Sequence, residues 1–292
     1  MAYFQRHKGI FPLLLLLPGL LWLIVFFAVP LYYQAKISLN TGSPFEGFRF
    51  AWHWSTYTDA IRTYHTQFIR SFIYAGASTG LSLLIGYPLA YAIAFRGGRW
   101  RNALLLAVIL PFFVTYLVRT LAWETILDDS SPLVSFLQTL GIVGKNGHVL
   151  ATTSAVIAGI TYNFLPFMIL PLYATLERLD KGMFEAAYDL YANRRKAFVR
   201  VTLPLALPGI VAGSLLTFIP AAGDFINAQL LGTSRQYMVG NVIQSRFLVV
   251  TDYPTAAALS FILMAAILVL VIAWVRVAGS ESLLGAEVAE AK

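Results

Sequence analysis

Cysteine is absent from the 292 residues, which removes disulfides, thiolate metal sites and cysteine nucleophiles from consideration. Charge is scarce: 12% of residues are Asp, Glu, Lys or Arg while 58% are hydrophobic, a composition foreign to a water-soluble domain. The four histidines, His7, His53, His65 and His148, all lie outside the apolar runs and show no metal-ligand spacing. No lysine is followed by Ser or Thr. The phosphate-cradling loop G-x-x-x-x-G-K-S/T is therefore missing, and the chain is not expected to hydrolyse ATP itself. Nor does a Ser/His, two-aspartate or His/Glu zinc motif fall within the apolar runs, so no covalent catalysis and no cofactor are expected.

What the chain does have is long apolar runs. Six spans are read at about 10–34, 69–95, 103–127, 151–176, 206–231 and 256–276, each long enough to cross a hydrocarbon core of about 30 Å. Only helices suit them, because backbone groups in lipid must be satisfied within the segment. The expected class is an all-α membrane protein, one transmembrane domain over 1–292. The first run, Ile10–Tyr33, is interrupted only by Pro12, Pro18 and Pro30. It exceeds a signal-peptide core and precedes no small-residue cleavage site, so it is expected to be a retained span. The fifth is broken by Gly213, Pro220, Gly223 and Asp224.

A net charge of +7 reads here as orientation, with no nucleic-acid partner expected. With the N-terminus inside, the cytoplasmic face holds Arg6, Lys8, Arg96, Arg99, Arg101, Arg276 and Lys292. It also holds the 177–203 loop, with Arg178, Lys181, Arg194, Arg195, Lys196 and Arg200. Both termini and that loop are thus expected in the cytoplasm. The outer loops are 35–68, 128–150 and 232–255. Leu133, Phe136, Leu137 and Leu140 share a helical face, as in a short helix on the outer membrane surface. Trp52, Trp54 and Tyr57 suit an interfacial cap.

Within 177–203, Asp180 is a candidate N-cap and Asn193 a stop. Between them Phe184, Ala187, Tyr188 and Tyr191 form one apolar stripe, with Glu185 and Asp189 off it. A second short segment, 194–202, is basic and ends before Pro204. The pattern suits an amphipathic interfacial helix, or insertion into a groove on another protein.

The stretch EAAYDLYANRRKAFVRVTLPLALPGI (185–210) resembles the EAA signature of ABC importer permeases, on Glu185, Ala186, Ala187, Leu190, Leu203, Pro204, Pro208 and Gly209. The resemblance implies a coupling helix seated in a cleft of an ATP-binding subunit, with Phe184, Glu185, Ala186, Ala187, Tyr188, Leu190 and Tyr191 at the contact. One departure is Tyr191, which stands where the signature usually carries Gly. A Gly enters φ > 0 cheaply and Tyr does not, which shifts the expected turn toward Asn193.

Charge inside a span is costly and marks a functional candidate. Arg119 and Glu124 lie on the third span, Asp224 on the fifth. Counted along straight helices they rise about 24, 31 and 27 Å, all in the outer half. Asn227 lies one turn from Asp224 on the same face. Two readings stand: Arg119 pairs with Asp224 to lock the spans, or Asp224 or Glu124 faces a pathway for a cation. Tyr116, Trp123 and Phe225 are placed to add cation–π contacts.

LPFFVTYLVRTLAWETIL (110–127), YNFLPFMILPLYATLERLD (162–180) and FIPAAGDFINAQLLG (218–232) are similar to the spermidine/putrescine permease branch, and MVGNVIQSRF and DYPTAAALS extend the likeness along the chain. Ala228 departs from the Pro often found in the branch. The resemblance implies a type I ABC importer permease in a bacterial cell membrane. It implies a homologous second permease, two ATP-binding subunits that carry ATP and Mg, and an extracytoplasmic substrate-binding protein. The expected solute is a polyamine; alternatives are a permease for iron, thiamine or a similar solute, or an ion-coupled secondary transporter.

Overall fold

The computed structural model describes residues 10–43, 45–141, 143–144, 147–180, 182–183, 187, 189 and 191–278. They divide into two compact units, one comprising the chain up to Thr63 with Ile243–Ile262, the other Tyr64–Val242 with Leu263 onward.

In the first unit, α1 (Ile10–Leu23), a π turn (Ile24–Ala28) and α2 (Val29–Ser38) follow one another without a break. Every residue from Leu16 to Pro30 is exposed. A rod apolar on all sides has no face suited to water, so it belongs in lipid or against another apolar surface. The next residues depart from the all-helical expectation: β1 (Asn40–Ser43) pairs antiparallel with β2 (Gly47–Phe50). Gly42 permits the hairpin, because at its φ of 122° a Cβ would fall 2.1 Å from the Gly47 carbonyl oxygen. Phe50, Trp52, Trp54 and Tyr57 then stack in series at centroid separations of 5.0, 6.5 and 5.8 Å. α3 (Ser55–Arg96) begins fourteen residues before the expected start of the second span at 69.

In the second unit, the third span is bent rather than straight. α4 (Arg101–Ile109) passes through a 3-10 turn (Leu110–Phe113) to α5 (Tyr116–Leu127), and the two parts meet at 94°. Val114 and Thr115 are extended at the corner. The straight-helix depths expected for Arg119 and Glu124 therefore do not apply beyond it. The short helix expected in 128–150 appears as α6 (Pro132–Thr139), capped by the Ser131 hydroxyl. It keeps Val134 buried while Leu133, Phe136 and Leu140 are exposed. Next come α7 (Thr153–Glu177), α8 (Arg194–Ala197), a π turn (Phe198–Thr202), α9 (Leu203–Leu205) and α10 (Leu207–Ala222), with a bend of 60° before α10. α11 (Ile226–Leu230) follows the break of the fifth span, which lies at Gly223–Phe225; Gly213 and Pro220 sit inside α10 without interrupting it. α12 (Val239–Gln244) and α13 (Tyr253–Ala278) complete the order. Among the described residues four helices are long and apolar enough to cross a membrane, or up to six if each bent pair is one span.

α7 is the axis of this unit. Ile160, Met168, Ile169, Leu172 and Leu176 are wholly buried along it. α10 packs against it through missing side chains: a Cβ on Gly213 would lie 2.9 Å from Met168 Sδ and 3.0 Å from the Met168 carbonyl oxygen, and one on Gly209 2.6 Å from Thr175 Oγ1. Between helices in lipid there is little hydrophobic drive, so close backbone approach and dispersion carry the association. Gly213→Leu should force these helices apart and lower the thermal unfolding midpoint of the detergent-purified chain, at a cost of about 1–3 kcal/mol. An unchanged midpoint would show that the close approach adds nothing.

Candidate functional site

Two places carry candidate residues, the 177–203 loop and the polar cluster between spans. In the loop, Gly182, Met183, Ala187 and Asp189 are helical. Asp180 caps this helix as expected, its Oδ1 accepting from the Gly182 N–H at 2.9 Å. Tyr191 takes φ 55°, and the Ala192 N–H bonds back to the Ala187 carbonyl at 3.0 Å. That is a Schellman end, which closes orphan carbonyls by placing one residue in the left-handed region. The turn has not shifted to Asn193; that residue caps the following helix, accepting from the Lys196 N–H at 2.8 Å. Tyr191 therefore keeps the glycine-like conformation, at a cost of about 1–2 kcal/mol for an L side chain. Its side chain is 96% exposed. Phe184, Glu185, Ala186, Tyr188 and Leu190 lie outside the described residues.

Between the spans, a helix break frees backbone groups that need partners. Asp224 supplies them. Its Oδ1 accepts from the Ile226 N–H at 2.9 Å and the Asn227 N–H at 3.3 Å, opening α11. Its Oδ2 accepts from the Tyr116 hydroxyl at 2.7 Å and from Asn227 Nδ2 at 2.5 Å. Four donors fill the acceptor sites of a carboxylate. Asn227 Nδ2 also reaches the Tyr116 oxygen at 2.5 Å, and Asn163 Nδ2 of α7 donates to Asn227 Oδ1 and Thr120 Oγ1, both at 3.2 Å. One network thus joins α5, α7 and the break. From α12, Asn241 Nδ2 donates to the Phe225 carbonyl at 2.8 Å. Gly240 lies so close that a Cβ would meet the Gly223 oxygen at 2.5 Å.

The expected Arg119–Asp224 pair does not form. Tyr116 stands between the two groups, giving its hydroxyl to Asp224 and its ring face to Arg119, whose guanidinium carbon lies 5.7 Å from that centroid and 5.0 Å from that of Phe112. Arg119 is 8% exposed, and its Nε and Nη1 have no hydrogen-bond partner among the described residues. Trp123 meets the Tyr162 ring edge-on at 5.3 Å. Glu124 and Phe225 are half-buried. Tyr116, Asp224 and Asn227 are thus brought together, Arg119 joins through a ring, Phe225 enters through its backbone carbonyl alone, and Trp123 and Glu124 stand outside the hydrogen-bonded cluster. Thr120, Asn163 and Asn241 were not anticipated. Asn163 carried a usable signal, an amide in the middle of an apolar run; Thr120 carried none, since threonine is commonplace in spans.

Residues 82–278 match the family model described as "Binding-protein-dependent transport system inner membrane component". The chain is 39% identical over 240 residues to the spermidine/putrescine transport system permease protein PotB of Haemophilus influenzae, covering 82% of this chain and 84% of that protein. It is 35% identical over 243 residues to the protein of the same name from Escherichia coli K12, covering 83% and 88%. Among solved structures, a chain of a bacterial ABC transporter involved in the import of the acidic polysaccharide alginate superposes with a TM-score of 0.68 at 20% identity, over 95% of this chain and 98% of that one.

Asp224→Ala would leave a phenol, an amide and two backbone N–H groups without their acceptor, a loss of about 3 kcal/mol or more at about 1–3 per orphaned group. Asp224→Asn retains one carbonyl oxygen and should unfold between the alanine variant and the parent in a thermal melt. Three equal midpoints would show the cluster to be energetically idle. Tyr191→Gly should relieve about 1 kcal/mol of backbone strain and slow amide exchange at Ala192, read by hydrogen–deuterium exchange.

Proposed function

We infer the function from the family to which this chain belongs, the inner membrane components of binding-protein-dependent transport systems. The chain is a multi-pass permease subunit with the ABC importer permease fold. Its solute, we propose, is a polyamine of the spermidine/putrescine class. The observation that carries this is the 39% identity to a spermidine/putrescine permease over 82% of the chain.

In this reading the chain forms half of the translocation pathway, beside a homologous second permease in a bacterial inner membrane. Two separate ATP-binding subunits, carrying ATP and Mg, supply the drive, and an extracytoplasmic binding protein delivers the solute. The termini and the 177–203 loop face the cytoplasm. Residues Phe184 to Tyr191 dock on an ATPase subunit. The exposed Tyr191 ring, the Asp180 cap and the bond from Ala192 back to Ala187 support that role, because ends fixed by hydrogen bonds transmit a push that a floppy loop would absorb.

The pathway is lined from Tyr116, Arg119, Trp123, Glu124, Asp224, Phe225 and Asn227. Asp224 serves it by fixing the Tyr116 phenol and the α11 start. Glu124, half-buried and with no hydrogen bond or ion pair among the described residues, offers its charge to a passing polyammonium.

Vesicles containing both permeases and the ATPase, supplied with the binding protein, should take up labelled spermidine only with ATP. Glu185→Lys should abolish that uptake while the assembled permease pair survives. Glu124→Gln should slow it about tenfold, equal to about 1.4 kcal/mol of lost charge attraction. Uptake of a different solute alone would replace the polyamine reading. Uptake driven by an ion gradient without the ATPase would replace the coupling reading.

A further inference from the structure

Each end of the 177–203 loop is fastened sideways to a different helix. On the entering side Glu177, the last residue of α7, forms an ion pair with Arg101, the first residue of α4. Arg101 also donates through Nε to the Tyr173 hydroxyl, and its guanidinium carbon lies 5.2 Å from that ring's centroid. On the leaving side Phe198 meets Tyr87 and Tyr91 of α3 edge-on, at 5.6 and 6.5 Å. The other ion pairs among the described residues, Asp129–His148 and Arg246–Asp252, do not touch this loop.

The position of Arg101 gives its contacts a direction. α4 leads straight to the 94° corner, and α5 beyond it carries Tyr116 and Arg119. An exposed ion pair alone adds little stability, but a tie between two rigid helices acts by geometry. The pair is partly covered, with side chains 32% and 41% exposed, and the tyrosine fixes the guanidinium plane.

We propose that Arg101 is a positioning residue for transport: through Glu177 it makes the base of the third span follow the coupling loop, so that the loop's displacement reaches the corner at Val114–Thr115. Phe198 gives α3 a separate tie. The proposal rests on the coupling role assigned above to residues 184–191.

The absence of cysteine allows spin labels at Phe113→Cys and Ser154→Cys in the complete assembly, its other subunits made cysteine-free. ATP with vanadate should shift the label-to-label distance in the parent. In Arg101→Ala and Glu177→Ala assemblies, ATP turnover should stay within about twofold while the shift falls at least about threefold. Arg101→Glu combined with Glu177→Arg should restore it, which separates a directional tie from a general folding defect. A full shift in either single variant overturns the proposal. Glu185→Lys distinguishes the two levels of the argument: a lost shift there, beside a full shift in Arg101→Ala, leaves coupling intact and removes only the tie. A full shift in Glu185→Lys removes both.

Discussion

A bilayer offers no water to a backbone that leaves the helical path. The step at Gly223–Phe225 exists because the protein brings its own partners to it: the Asp224 carboxylate for the amides that open α11, and the Asn241 amide for the Phe225 carbonyl. Much else hangs on that repair. Asp224 has acceptor capacity left over, and it goes to Tyr116 and Asn227. Tyr116 then sets the ring on which Arg119 rests, and Asn227 draws in Asn163 from α7. A local accounting of hydrogen bonds thus fixes the relation of three helices.

The apolar runs were legible, because crossing lipid demands a length and a composition that few other structures share. Caps were legible too: Asp180 lies where its short carboxylate accepts a helix-opening amide. The bend of the third span was not. Pro111 marks a weak point, but proline is tolerated in membrane helices, and the corner comes at Val114–Thr115, three residues on. The hairpin at 40–50 hid in a loop whose aromatics were noticed and whose Gly42 was not. The Arg119–Asp224 pair failed for a physical reason that composition cannot display. Opposite charges at similar depth were matched by sign, while the actual arrangement was decided by Tyr116, which serves both at once through its two chemically different faces.

Tyr191 shows the reverse case. Residue type alone predicts a turn displaced from it, since a bulky side chain resists the left-handed region. The helix ends there regardless, because the bond from Ala192 to Ala187 and the cap at Asn193 determine the backbone on both sides. Context outweighs about 1–2 kcal/mol of local preference. The candidate site was therefore legible as a set of residue types and only partly as a set of contacts.

The paired glycines of α10 carry one last implication. With Gly209 and Gly213 against Thr175 and Met168 there is no slack between α7 and α10, and these two helices flank the 177–203 loop. Interlocked surfaces of this kind resist sliding, because each increment of shear drives backbone into side chain. A displacement of either helix is then shared by the other, and the soft direction left is rotation of the couple as a unit. The mechanics are those of a hinge, and the stiffness comes from atoms that glycine lacks.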